Sequence, residues 1–161
     1  MASGQLSIYG MMVDQNAIAL VRRTIIYDLI ERMFDPEELI DHYTTDLDLN
    51  WISLPLPQGV KIVVMASADQ DLDPGNILQL NTKYGAVVAD WESGSIARVA
   101  SKNKVACLIL RGVSDLVCVE KGDAYDGNHA LFSENALRVM SLLVESLPFW
   151  LAQFYNSHCD S

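Results

Sequence analysis

Between residues 60 and 112 the chain alternates continuously apolar runs with amphipathic segments of helical period: VKIVVMAS, DPGNILQLNTKY, GAVVAD, ESGSIARVASKN and KVACLILRG. The order reads strand, helix, strand, helix, strand. A strand that is apolar on both sides needs cover on both faces, which a parallel sheet flanked by crossover helices supplies. The pattern predicts an α/β fold with a parallel sheet covered by helices on both faces.

The flanking segments fit one domain over residues 1–161. AIALVRRTIIY, rich in β-branched and aliphatic residues, predicts a further strand that reaches a surface at Arg22 and Arg23. In FDPEELIDHY, Asp35 is placed to cap a short helix, Pro36 suits its first position, and Glu37 and Glu38 favour its positive end. TTDLDLNWISLPLPQG has no period and reads as a loop, as does the polar stretch 118–129. Ser133 then caps a predicted helix, SENALRVMSLLVESL, whose Leu137, Met140, Val144 and Leu147 form a core stripe and which Pro148 ends or kinks. The aromatic cluster Phe149, Trp150, Phe154 and Tyr155 is open to packing on the body or on a partner.

Composition narrows the function classes. Eleven basic against 21 acidic residues leave a formal charge of −10, which disfavours nucleic acid and anionic membrane surfaces, because both bind through Lys and Arg. The most apolar C-terminal stretch, SLLVESLPFWLAQF, is broken by Glu145 and Pro148 and falls short of the roughly 20 residues of a membrane span. MASGQLSIYGMMVDQ lacks a basic start and meets Asp14 before an apolar run develops, so no signal peptide is read there. Cys107, Cys118 and Cys159 are an odd count without CxxC spacing, which fits a reduced, cytoplasmic setting. His42, His129 and His158 have no metal-ligand spacing, and neither metal nor cofactor is expected.

In a parallel α/β sheet, ligands bind beyond the carboxyl ends of the strands. Here those ends carry Ser67-Ala68-Asp69, Asp90-Trp91-Glu92, and Arg111 followed by Ser114 and Asp115. Any one of these is equally read as a helix cap. Together they bring carboxylates and an aromatic ring towards one edge, and Ser93, Gly94 and Ser95 are small enough for a helix start to approach a ligand closely.

The stretch ADWESGSIARVASKNKVACLILRGVSDL resembles the signature region of the methylthioadenosine/S-adenosylhomocysteine nucleosidases, within the nucleoside phosphorylase superfamily. The shared elements are Trp91-Glu92, the small residues to Ala97, the apolar run VACLIL, and Arg111 to Asp115, with 23 residues from Glu92 to Asp115. Ser67-Ala68-Asp69 is similar to a Ser-Gly-Asp of the family, and the resemblance is strongest over 60–147.

The resemblance implies a nucleoside phosphorylase-like fold, a three-layer sandwich around a mostly parallel, mixed sheet truncated at the N-terminus, and cleavage of the N-glycosidic bond of a purine nucleoside, of the kind met in methionine salvage. Glu92 would accept hydrogen bonds from the ribose hydroxyls. Asp115 would donate a proton to the leaving base, which requires a desolvated carboxyl. Ser114 would hold Asp115, Trp91 would pack on sugar or base, and Leu72 would contact the base, while Asp71 stands where an aromatic residue is expected. Arg111 would hold water or an anion near the sugar, or else pair with a junction carboxylate. Ser67 completes the set.

The resemblance also implies an N-terminal part, carrying a glutamate that activates the attacking water, for which this sequence has no counterpart. The chain could be completed by another polypeptide, bind a nucleoside without cleaving it, or recruit a carboxylate such as Asp28 or Glu31. A purely structural module, with Glu92 and Asp115 as caps, is the remaining alternative. Members are usually homodimers, which places Tyr27 and Phe34 at a contact with the second copy. His129 and Phe132 stand in a region that closes over the pocket in the family.

Overall fold

The computed structural model describes residues 13–30, 32–33, 35–117 and 129–158. The chain forms β1 (Ile18–Ile26), α1 (Pro36–Tyr43), β2 (Thr45–Asp46), β3 (Val60–Ser67), α2 (Ile77–Tyr84), β4 (Ala86–Asp90), α3 (Ser93–Lys102), β5 (Leu110–Gly112) and α4 (His129–His158). The predicted strands at 17–27, 60–67 and 85–90, and the helices between them, are present. Asp35 caps α1 by accepting the Glu37 N–H at 2.9 Å, with Pro36 in the first turn. Gly85 ends α2 at φ +69°, a left-handed cap whose N–H reaches the Asn81 and Leu80 carbonyls.

β1 organises the sheet. One edge pairs in parallel with β3, and β3 pairs in parallel with β4. On the other edge, β5 pairs antiparallel with Ile18–Leu20 and β2 pairs antiparallel with Arg23 and Thr24. The sheet is therefore mixed.

This corrects the reading of KVACLILRG as a third parallel strand after β4. Residues 105–109 are irregular, and only Leu110–Gly112 form a strand, running antiparallel to β1. A continuously apolar run encodes burial and not direction of pairing, and β1 offered an open edge. The two-residue β2, inside the stretch read as a loop, fills the rest of that edge.

Side-chain alternation sorts the core into layers. Val63, Met65 and Val88 face α3 and pack with Ala97, whereas Val64, Ala66 and Ala89 face the other side and pack with Ile40 of α1 and Ile77 and Leu80 of α2. In β1 the register shifts between Val21 and Arg23, so Arg22 is an extra residue. The bulge reverses parity: Ala19 and Val21 pack on the α3 side, while Ile25, also odd, packs on the α2 side. Ile18 and Leu20 meet Trp150 of α4 in a third cluster.

α4 departs most from the sequence reading. It begins at His129 rather than after Ser133 and continues through Pro148 to His158. The proline ring removes one helical donor, and its exposed position lets solvent reach the freed carbonyl. The stripe read as core faces outward, with Leu137 72%, Met140 37%, Val144 58% and Leu147 46% exposed. The buried face instead carries Val139 and Trp150, with Leu142, Leu143 and Phe149 partly buried. Among the described residues no helix is long and apolar enough to cross a membrane.

α4 approaches β5 at Gly112, where a Cβ would lie 2.5 Å from the Val139 Cβ. Gly112→Ala should therefore destabilise the protein by about 2 kcal/mol through overpacking. In urea denaturation, the Gly112→Ala/Val139→Ala double variant should be more stable than the sum of the single effects predicts; strict additivity would contradict this contact.

Candidate functional site

The ends of β3 and β4 and the middle of β5 converge on one buried carboxylate. Asp90, the last residue of β4, is 2% exposed. Its Oδ1 accepts the Ser67 hydroxyl from the end of β3 at 2.7 Å and the Ser93 N–H at 3.0 Å. The Ser93 hydroxyl donates to Oδ2, which also pairs with Arg111 Nε at 2.9 Å. The Ser67 oxygen accepts the Gly94 N–H at 2.8 Å. Two strands, the start of α3 and β5 are thus joined through a single side chain.

This network decides part of the question of caps. The start of α3 is held by Asp90 and Ser67, whereas Glu92, the residue just before the helix, makes no side-chain capping bond. Glu92 instead accepts from Arg111 Nη2 at 3.2 Å, and its side chain is 41% exposed. Arg111 spans both carboxylates while only 17% exposed, and its Nε also lies 3.1 Å from the Ser93 oxygen. The junction carboxylates are therefore divided into a buried structural one and an accessible one.

The predicted residues separate accordingly. Ser67, Glu92 and Arg111 come together, and Trp91, 46% exposed, stands beside Glu92 in the chain. Asp115 is buried, three residues beyond β5. Its segment is tied to the start of β1 by Val113 N–H to the Ala17 carbonyl at 3.0 Å and Asn16 N–H to the Val113 carbonyl at 2.9 Å. Val117 then joins the core cluster of Ile25, Ala66, Leu72 and Ala89, which brings the chain after Asp115 back to the far ends of β1, β3 and β4.

Several details differ from the sequence reading. The Ser114 hydroxyl is buried without a hydrogen-bond partner, so it does not hold Asp115 by that bond. Leu72 is 4% exposed and packs in the core cluster with Ile25, Ile77 and Leu80. Of the small residues after Glu92, Gly94 serves helix-to-sheet packing: a Cβ there would lie 2.6 Å from Ile26 Cγ1 and 2.9 Å from Ser67 Cβ. Asp28 accepts the Asp69 N–H at 2.8 Å, and Tyr27 packs partly against its own core. Glu31, Phe34 and residues 118–128 lie outside the described residues, as does the His129 side chain.

Sequence reasoning missed the central parts of this network. Asp90 was only one of several polar junction residues, and Ser93 counted only as small. The available signal was Asp90's place at a strand end, three residues before a serine that opens a helix. Cys107 is half-buried, and burial pushes its thiol up, away from the thiolate a nucleophile needs. Among the described residues no cluster of His, Cys, Asp and Glu could hold a metal ion.

Solved structures share this architecture. One similar structure is a mutant of the Helicobacter pylori methylthioadenosine nucleosidase (MTAN) with methylthioadenosine in its active site: 17% identity, TM-score 0.66, covering 91% of this chain and 66% of that one. Helicobacter pylori futalosine hydrolase matches at 18% identity and TM-score 0.66, covering 91% and 66%. An MTA/SAH nucleosidase matches at 19% identity and TM-score 0.69, covering 94% and 59%. The chain has the fold of these enzymes of the nucleoside phosphorylase superfamily and spans about two-thirds of the length of the first of them. No family model matches the chain, and no curated protein matches it in sequence.

The division between carboxylates is measurable. Asp90→Asn should cost about 3 kcal/mol in urea denaturation, because it weakens a buried pair and leaves part of the Arg111 charge uncompensated. Glu92→Gln, at a partly exposed pair, should cost under about 1 kcal/mol. Equal losses for the two variants would remove the distinction.

Proposed function

We propose that this chain is a purine nucleosidase that acts on methylthioadenosine- or S-adenosylhomocysteine-like nucleosides. The observation that carries the reading is the placement of Glu92: relieved of capping by Asp90 and bound by Arg111, it keeps a partly exposed carboxylate at the strand end. Such a group suits the two hydroxyls of a ribose, because an ionised carboxylate accepts through both oxygens. The neighbour that holds methylthioadenosine in its active site supports the same choice of ligand.

In this reading Asp115 protonates the base as the glycosidic bond breaks. Its burial, at 5% exposure, keeps bulk water from the proton transfer. Electron density from the bond moves into the purine, which takes the Asp115 proton and leaves as a neutral molecule, while a water oxygen bonds to the cationic sugar carbon and releases the proton that restores the Asp115 carboxyl. Trp91 covers the sugar, and Arg111 keeps the Glu92 carboxylate from rotating away. The setting is a reduced cytoplasm, and the chain works as a homodimer.

A second reading has its own support. Asp28, one of the candidate general bases, already accepts the Asp69 N–H, and binding without cleavage is the alternative. Purified protein mixed with methylthioadenosine should release adenine, and Asp115→Asn should abolish the release. Calorimetry should show saturable nucleoside binding that Glu92→Ala weakens about 10- to 100-fold, the loss of one or two charge-assisted hydrogen bonds. Binding without release would select the second reading, and neither binding nor release would sink both.

A further inference from the structure

We infer that the cleft between the chain leaving β2 and the chain entering β5 is a second binding site, which takes a small planar aromatic cation of the amidinium or protonated amino-heterocycle class. β5 and β2 occupy successive stretches of one edge of β1. Where one gives way to the other, the Leu47 N–H reaches the Arg22 carbonyl at 2.9 Å and the Ile109 carbonyl accepts the Val21 N–H at 3.0 Å. A cavity of 220 Å³ opens beside this bulge, bordered by the segments around Leu47 and Cys107 and by Ser101 of α3. Ser101 lies in the last turn of α3, whereas Ser93, beside Arg111, opens the helix about 12 Å away along its axis. The cleft is therefore separate from the surface that carries Glu92.

The lining combines an apolar base, a fixed ring and a free carboxylate. Leu47 and Cys107 pack on the core cluster of Val21 and Val63, and burial pushes the Cys107 thiol up, so it adds no charge. Trp51 is held in place before any ligand arrives: its Nε1–H donates to the Asp48 carbonyl at 2.8 Å, and its ring meets Phe154 of α4 edge-on at 6.1 Å. Asp46 and Asp48 both border the cleft. Arg23 takes up both oxygens of Asp46, at 2.6 and 3.0 Å. Asp48 accepts the Asn50 N–H at 2.9 Å and, among the described residues, forms no ion pair, so its charge is the uncompensated one. The carboxyl-terminal end of α3 adds negative potential. Lys102 and Lys104 adjoin that end in sequence but do not line the cleft.

Size and chemistry together select the ligand. An apolar cavity of about 150 Å³ holds benzene, so 220 Å³ takes one ring with a small polar substituent. A cationic ring is attracted to the π system of Trp51. Its N–H donors match Asp48, whose two oxygens keep lone pairs beyond the one used by Asn50. An anionic ring of the same size meets Asp48 as a like charge. Because Trp51 and Asp48 are tied to each other through the backbone, little ordering remains to be done on binding. The inference is independent of the nucleosidase reading.

Benzamidine and benzoate, probes of one shape and opposite charge, test it by calorimetry on the full chain. Benzamidine should bind saturably with a dissociation constant of ~1 mM or tighter, and benzoate should give no saturable heat. Asp48→Asn, at an exposed position, should weaken benzamidine about 10-fold with an unchanged circular dichroism spectrum. Bound benzamidine should also slow alkylation of Cys107 by N-ethylmaleimide, read on its peptide by mass spectrometry, which places the probe in this cleft rather than beside Glu92. Absence of saturable benzamidine heat, equal affinity for benzoate, full affinity in Asp48→Asn or an unaltered rate at Cys107 each overturn the inference. If Asp48→Asn disturbs the fold, Ser101→Arg at the exposed rim decides in the same way: weakened benzamidine binding supports the site and undiminished binding refutes it.

Discussion

The buried Asp90 carboxylate is the point on which the site geometry depends. It receives a serine hydroxyl from β3, an N–H and a hydroxyl from the start of α3, and a guanidinium from β5. A charge taken out of water is costly unless it is paired and fully hydrogen-bonded, so the four elements must meet in one arrangement for Asp90 to be buried at all. That requirement fixes Arg111, and Arg111 in turn fixes Glu92. The accessible carboxylate is thus positioned by the inaccessible one.

The path of β1 explains how such distant segments reach that point. β1 has β3 along one edge and β5 and β2 in succession along the other, so it touches every other strand except β4. The extra residue at Arg22 changes which side chains face α3 and which face α1 and α2. Without it, a single strand could not supply Val21 to one layer and Ile25 to the other. Gly94 and Gly112 then allow helices to approach the sheet closely at the two positions where a methyl group has no room.

Much of this was readable in advance, and the failures have a common cause. Asp35 and Pro36 announced α1, and continuous apolar runs announced β3 and β4, because caps and burial are local properties. VACLIL misled because burial alone does not specify a partner strand. Leu137, Met140, Val144 and Leu147 misled because α4 is apolar on both faces, and helical spacing cannot say which face meets the body. Glu92 and Arg111 were found as candidates from their junction positions, whereas Asp90 was passed over because a polar strand end does not reveal how many partners it will gain.

The sequence by itself determined the alternating α/β pattern, the capping of its short helix, the junction residues Ser67, Glu92, Arg111 and Asp115, and the resemblance to a nucleosidase signature. These are set by local period, residue chemistry and spacing along the chain. Only the tertiary structure decided that β5 turns back along β1, that Asp90 rather than Glu92 holds α3, that the Ser114 hydroxyl lacks a partner, and that Leu72 is core. Each of these rests on contacts between residues far apart in sequence, where competition among partners, and not any single residue's preference, selects the outcome.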